Sequence, residues 1–301
     1  MLDQRNVLTT TVRDDEDGVM VKDIVYGRLD LSRGLLRRMK RGGGIYLNGQ
    51  RDYLTRRVKP GDIIQIVFFD EKTRMEPQKI PLDIIYEDDY LLIVNKAAGM
   101  AAHPAGAYQE GTLANALAYY WEEIGLATKV RLVHRIDRDT SGLILVAKEP
   151  YTLQRLLRQL SRGELVREYL AIVQGVVVPS QGELSMAIGR SMDHGVKRAV
   201  QEGGKAARTS YRVLSTSPQA SLLRARLESG RTHQIRVHFA NIGHPVLGDP
   251  LYHQARPGIP GQALHAWRLQ FTHPRTKQTH EVRCPVPVDV LNLWKECRKE
   301  Q

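Results

Sequence analysis

An α+β fold is predicted, a mainly antiparallel mixed sheet preceded by a small N-terminal α/β unit. Three observations predict it. Strand-like runs such as "LDIIYEDDYLLIVNK" and "SLLRARLES" fill much of the chain without regular βαβα alternation. Only a few segments, "GTLANALAYYWEEIG" and "YTLQRLLRQLSRG" among them, show the period of an amphipathic helix. The polar, proline-punctuated "DEKTRMEPQKIP" reads as a linker between a basic block and the rest. The expected division is therefore an N-terminal domain over 1–70, a linker over 71–81 and a larger domain over 82–301.

In the N-terminal block, "LDLSRGLLRRMKRGGGIYLNGQ" reads as a capped helix, a turn and a strand. Ser32 is the N-cap candidate, and Gly42-Gly43-Gly44 ends the helix. Arg33, Arg37 and Arg41 recur every four residues and share one face, while Leu35, Leu36 and Met39 supply the packed side. "IYLNGQ" gives a strand and an Asn-Gly turn, and "VKPGDIIQIVFF" a second turn and strand. A basic helical stripe above a small sheet suits contact with phosphates.

Whole-chain composition points the same way. The formal net charge is +11, and Val21 to Pro60 alone holds eleven Lys/Arg against three Asp. Such a balance favours a polyanionic partner, nucleic acid before membrane. No apolar run is long enough to span a bilayer. The opening "MLDQRNVLTTTVRDDEDG" is too polar and acidic for a secretory signal. Cys284 and Cys297 fit neither a disulfide framework nor a thiolate metal site and suit a reducing compartment. A cytoplasmic, monomeric protein is expected, with no Gly-x-Gly-x-x-Gly or phosphate-cradling Gly-Lys-Ser/Thr signature.

The chemistry concentrates in "VRLVHRIDRDTSGLILVAK", where His134, Arg135, Asp137, Arg138 and Asp139 precede a buried-looking strand. Asp139-Thr140-Ser141-Gly142 is turn chemistry, which makes Asp139 structural. Asp137, between arginines at the edge of a core, needs a cationic partner. A magnesium nuclease needs more carboxylates than this stretch supplies. A glycosidase needs a second carboxyl at a defined distance. A lone carboxylate nucleophile at a sugar or base carbon needs only Asp137, a counter-cation and a pocket.

A second cluster, "LESGRTHQIRVHFANIGHPVLGDPLY", supplies the cation. Read as an extended segment, it places Arg231, His233 and Ile235 on one face and Thr232, Gln234 and Arg236 on the other. The odd spacing of His233 and His238 then argues against a shared zinc site. Arg231, after Ser229-Gly230 at a strand entrance, is the expected partner of Asp137.

Two resemblances follow from these motifs. "LSRGLLRRMKRGGGIYLNG" with "VKPGD" resembles the α-L (ribosomal S-four-type) RNA-binding module. "LVHRIDRDTSGLILVAK" resembles the signature of the RluA-type pseudouridine synthases, supported by "LLIVNKAAGMAAHPAG", "REYLAIVQG", "GGKAARTSYRVL", "SGRTHQIRVHFANIGHPVLGDPLY" and "LHAWRLQFTHP" across roughly residues 82–290. The resemblance implies Asp137 as the catalytic aspartate, Arg231 as the arginine that pairs with it, and Arg135 as the residue that fills the space left by an extruded base. It also implies that Tyr169 packs on the target uracil and Ile235 lines the same pocket, and Tyr169 is further the catalytic candidate to assist removal of the proton at the carbon through which the base is rejoined. Two departures are visible: Ala97 stands where the family usually has proline, and Arg167 where it often has lysine. Neither removes a chemical group from the pocket. The implied partner is structured RNA, ribosomal first and transfer RNA second, with no cofactor and no metal.

Overall fold

Two large sheets organise the chain in the computed structural model, which describes residues 4–39, 42–69, 72–106, 108–191 and 195–299. The first sheet comprises β1 (Val7–Thr11), β2 (Gly44–Leu47), β3 (Gln50–Asp52) and β4 (Ile63–Val67), antiparallel in the order β1-β4-β2-β3. Helices α1 (Val21–Tyr26) and α2 (Arg33–Met39) pack on it, and Ile24, Leu35, Ile64 and Ile66 lie at the centre of a separate core. Ser32 caps α2 by accepting the Leu35 amide at 3.1 Å. Asn48 and Gly49 both have positive φ, 51° and 81°, the backbone of the tight hairpin between β2 and β3. Arg41 lies outside the described residues.

Between residues 72 and 83 the chain forms no helix or strand. It is nonetheless fastened to the second unit. Asn115 Nδ2 donates to the Glu76 carbonyl at 2.9 Å, and the Gly111 amide donates to Gln78 Oε1 at 2.7 Å.

The second unit contains β5 (Ile84–Glu87), β6 (Leu91–Lys96), β7 (Ser141–Ala147), β8 (Val166–Gln174), β9 (Gln181–Ser185), β10 (Ile188–Arg190), β11 (Arg198–Val200), β12 (Arg208–Ser217), β13 (Ala220–Leu227), β14 (Leu264–Thr272) and β15 (Thr279–Arg283). All but the β10–β11 ribbon join one sheet in the order β5-β6-β7-β14-β8-β13-β12-β9, with β15 beside β14. The β7–β14 pair is parallel and the other ladders are antiparallel. Every residue of β7 is buried, which accounts for its unbroken apolar sequence. Helices α3 (Leu113–Glu123), α4 (Pro150–Ser161), α5 (Gln234–Asn241) and α6 (Val288–Lys299) complete the unit. Among the described residues no helix is long and apolar enough to cross a membrane.

Helix α4 joins the two units. Glu149 caps it through the amides of Tyr151 and Thr152, at 2.6 and 2.9 Å. Tyr151 stacks on Phe68 with ring centroids 5.9 Å apart. Arg155 pairs with Asp30 at 2.6 Å, Arg158 also meets Asp30, and Gln154 exchanges hydrogen bonds with Asp30 and Ser32.

The structure corrects one local expectation. The segment after Gly230 is not extended. Arg231 follows the end of β13, the Gln234 amide donates to the Arg231 carbonyl at 3.1 Å, and a helix begins at Gln234. The β-branched and aromatic residues of "IRVHF" suggest a strand, but burial on several sides accommodates them equally well in a helix. The face alternation expected between 231 and 236 is therefore replaced by a helical arrangement.

Candidate active site

The centre of the large sheet brings the two chemical clusters together. Gly142 on β7 pairs with Ala266 on β14, and Ala266 pairs with Tyr169 on β8. These three residues form one row, so the turn that ends at β7 lies close to the Tyr169 ring. The row requires glycine at 142. Its φ is +115°, and a Cβ there would lie 2.3 Å from the Ala266 carbonyl oxygen.

Asp137 occupies the turn ahead of β7. Its carbonyl accepts the Thr140 amide at 3.2 Å, and Gln262 Nε2 donates to Thr140 Oγ1 at 2.8 Å. Asp139 belongs to the scaffold, because the Arg138 guanidinium grips both of its oxygens at 2.8 and 2.9 Å. Behind the turn, the buried Lys96 ammonium donates to the carbonyls of Ala97, Met100 and Arg138 at 2.6, 2.8 and 2.8 Å. That clamp ties the "NKAAG" loop to the aspartate turn. Burial pushes the Lys96 pKa down to about 7, against the opposing pull of Asp139 and Asp137.

The cation on Asp137 is Arg236. Its Nη1 donates to Asp137 Oδ2 at 2.9 Å, while Nε and Nη2 hold both oxygens of Asp249 at 2.6 and 2.8 Å. Arg236 is 5% exposed, Asp249 0% and Asp137 22%. One guanidinium thus serves two carboxylates, and the trio carries one net negative charge with its accessible face at Asp137. Burial alone would lower the Arg236 pKa, but the hydrogen bonds and charges of Asp249 and Asp137 outweigh it and raise the pKa. Asp249 is fixed in turn by the amides of Leu251 and Tyr252, at 3.0 and 3.2 Å from Oδ1. The Tyr252 ring lies 5.2 Å from the Arg236 guanidinium carbon, within cation–π range.

The pairing expected of Arg231 therefore falls to Arg236. The reason is the helix. It directs Arg236 inward, whereas Arg231 stays exposed at the end of a loop and donates from Nε to the Ala206 carbonyl at 3.1 Å. Arg231 still lines the pocket beside Asp137, together with Arg135, Tyr169, His233 and Ile235. Arg135 is exposed at its rim. Ile235 and Tyr169 are each 3% exposed and form apolar walls. Burial raises the Tyr169 pKa, so the group stays a neutral phenol.

His233 precedes α5 in the left-handed region, φ 59°, an uncommon conformation for a residue with a Cβ. Its Nδ1 lies 3.0 Å from the Tyr252 hydroxyl. His238 is fully buried between Thr209 Oγ1 and the Met186 carbonyl, each at 3.0 Å. Among the described residues no group of three or more His, Cys, Asp or Glu is placed to hold a metal ion.

The sequence pattern of the RNA pseudouridylate synthase family matches residues 90–241, which contain Asp137, Tyr169 and Arg236. The chain belongs to that family. This RNA pseudouridine synthase is 37% identical over 289 residues to the RNA pseudouridine synthase YhcT of Bacillus subtilis, across 95% of this chain and 96% of the relative. It is 41% identical over 232 residues to ribosomal large subunit pseudouridine synthase D of Nitrosomonas europaea, across 74% and 67% of the two chains. The protein of that name from Vibrio parahaemolyticus is 36% identical over 314 residues, 99% of this chain and 96% of the relative. Among solved structures, human RNA pseudouridylate synthase domain containing 1 superposes with a TM-score of 0.58 at 28% identity, over 70% of this chain and 86% of the human one. The synthase is thus an RluA-type isomerase, as its motifs predict.

Residue-by-residue reading of the sequence gives Arg236 and Asp249 no role, although both stand in the quoted motif. A helical reading of "HQIRVHFA" is the signal that places Arg236 on the buried side with Ile235 and Phe239.

Proposed function

We propose that this synthase isomerises uridines of structured ribosomal RNA, with Asp137 as the reacting carboxylate. One observation carries the reading: Asp137 is the partly exposed end of a buried Asp249–Arg236–Asp137 chain, set against Tyr169 and Ile235. The chain fixes the carboxylate in place and supplies its cation at Oδ2, leaving Oδ1 outside that pairing. Ribosomal RNA is favoured because relatives similar over most of their length are named for the large ribosomal subunit.

A uridine in structured RNA leaves its stack at a cost of a few kcal/mol. Packing on the Tyr169 ring returns roughly 1–3 kcal/mol of it. Its exposure at the rim supports Arg135 as the residue that occupies the space the base vacates. The reaction breaks the bond from ribose to N1, turns the base and joins ribose to C5, conserving atoms and oxidation level. Attack of Asp137 on ribose C1′, attack on base C6 and removal of a ribose proton all begin from the same carboxylate. The proton displaced from C5 must then leave. The neutral Tyr169 phenol suits packing better than that transfer, because burial opposes its ionisation.

In this reading residues 1–70 form the RNA-binding domain and 82–301 the catalytic domain, in keeping with their separate sheets and cores. Arg33 and Arg37 are exposed on α2 as phosphate contacts require. Cys284 and Cys297 are buried and form no disulfide with each other, in keeping with a cytoplasmic place of action.

The test compares pseudouridine maps of ribosomal and transfer RNA from cells with the parent gene, without it, and with Asp137→Asn. Sites that vanish without the gene and stay absent with Asp137→Asn, in ribosomal RNA, are the expected result. Activity of purified Asp137→Asn within tenfold of the parent refutes the carboxylate's role, and sites confined to transfer RNA refute the ribosomal target.

A further inference from the structure

Outside the pocket, Asp137 also opens onto a second and larger space. A groove of about 690 Å³ runs from Asp137 and Arg135 along α4, past Leu157 and Leu160, to the Ser229–Thr232 loop. Its volume is in the range of small-molecule sites. The pocket and the groove share Arg135, Asp137, Leu227 and Arg231 as lining residues, so they are continuous. A single uracil beside Tyr169 and Ile235 leaves the groove unfilled.

The lining of the groove is specific in character. One side is apolar: Leu157 is 42% exposed although it is a leucine on a helix, and Leu160 lies a turn further on. The opposite side is rich in donors. Arg167 is buried beneath the 229–230 loop, where its Nη2 donates to the Ser229 carbonyl at 3.1 Å. Gly230 allows that approach, since a Cβ there would lie 3.0 Å from Arg167 Nη1. Arg167 Nε and His134 Nδ1 are buried without a hydrogen-bond partner among the described residues. The His134 ring accepts the Leu145 amide at Nε2, and burial lowers its pKa to about 3, so its neutral form carries the proton on Nδ1. Both carboxylates of the groove are countered from outside it, Asp137 by Arg236 and Glu228 by Arg208 at 3.7 Å. The guanidiniums of Arg135, Arg167 and Arg231 have no carboxylate partner among the described residues. An apolar shelf facing uncompensated guanidiniums suits a nucleotide, with its base on the leucines and its phosphate on Arg167 and Arg231.

We propose that this groove is a second nucleotide site, which holds the unstacked base next to the target uridine while the target occupies the Asp137 pocket. The proposal rests on Asp137 marking the target pocket. Helix α4 keeps the shelf rigid, because Gln154, Arg155 and Arg158 on another face are tied to Asp30. The synthase therefore reads two adjacent nucleotides in the extruded strand, and its choice of uridine depends on a neighbour that is not modified.

Binding of short probes to the full-length protein tests this by calorimetry. The probes are uridine 3′,5′-bisphosphate, the dinucleotide pUpUp, and two dinucleotides in which one or the other ribose lacks its base. Either uridine of pUpUp can enter the pocket, so the set samples both neighbours. The dinucleotide is expected to bind about tenfold more tightly than both abasic forms, a gain typical of one stacked base. Leu157→Ala, at an exposed position, should remove most of that gain and leave bisphosphate affinity unchanged. Equal binding of pUpUp and its abasic forms overturns the proposal in favour of a phosphate track, and a gain that survives Leu157→Ala places the second base elsewhere. The activity of Asp137→Asn reports separately on the catalytic reading, so the two failures are distinguishable.

Discussion

Replacing Arg236 by alanine should cost this synthase far more stability than replacing Arg231, although both arginines line the same pocket. Arg236 is 5% exposed and makes three hydrogen bonds to two carboxylates, one of them the fully buried Asp249. Its removal leaves Asp249 charged in a dry site, and stranding one member of a buried pair costs about 3–5 kcal/mol. At roughly 2–4 °C per kcal/mol for a folded unit of this size, Tm should fall by about 6–20 °C. Arg231 is exposed, and its side-chain hydrogen bond goes to one backbone carbonyl, so Arg231→Ala should stay within about 0.5 kcal/mol of the parent. Thermal scans of the two variants beside the parent read the difference directly. Adding Asp249→Ala to Arg236→Ala should restore part of the loss, with a coupling of at least about 1 kcal/mol. The loss in Arg236→Ala should also shrink as pH falls through the carboxylate range, because the stranded acid can take a proton. Similar Tm values for both single variants, or strict additivity in the double variant, would refute the assignment of Arg236 as the shared counter-ion.

Three further outcomes are expected. Burial lowers the pKa of His134 to about 3 and of His265 to about 4, from 6.5, so an unfolded chain takes up protons that the folded one refuses. Stability is then full above pH 6.5 and declines as pH drops toward 4, by up to about 1.4 kcal/mol per pH unit for each ring; denaturant titrations of His265→Gln should show a shallower acid limb, and an unchanged limb counts against it. Gly142→Ala should lower both stability and turnover, because the new Cβ collides with the Ala266 backbone in the row that aligns Asp137 with Tyr169; parent-like Tm and activity would show that the row tolerates a side chain. Arg33→Ala with Arg37→Ala should weaken binding to long structured RNA and reduce the log–log salt slope by roughly 0.7–0.9 for each phosphate no longer neutralised; coincident slopes would mark the α2 arginines as an ordinary solvated face.

Much of the architecture was legible because it rests on local signals. Ser32 and the Asn48-Gly49 pair announce a helix start and a hairpin through chemistry confined to a few residues. The unbroken apolar run after Gly142 marks a strand covered on both faces, and β7 is buried along its whole length. The sheet order was not legible. That β14, more than a hundred residues downstream, inserts between β7 and β8, parallel to the first and antiparallel to the second, depends on which edges find each other in space. Nor does a linker's composition show that Glu76 and Gln78 are bonded to the neighbouring fold.

The candidate site divides along the same line. Asp137 could be singled out because a carboxylate among arginines, set between a turn and a core strand, is a local anomaly of charge. Its partner could not be found that way, since the choice between Arg231 and Arg236 turns on the conformation of five residues. An extended chain would carry Arg231 across the opening, and the helix turns Arg236 inward instead. The left-handed His233 sits at the point of that change, where a loop leaving β13 must reverse within one residue to begin α5. It leans on Tyr252, which follows Asp249, so the residue that starts the helix and the residue that anchors the arginine are held by one short loop. The helix start, the counter-ion and the buried acid are therefore one device, and loosening any of them should displace the charge that Asp137 presents to the pocket.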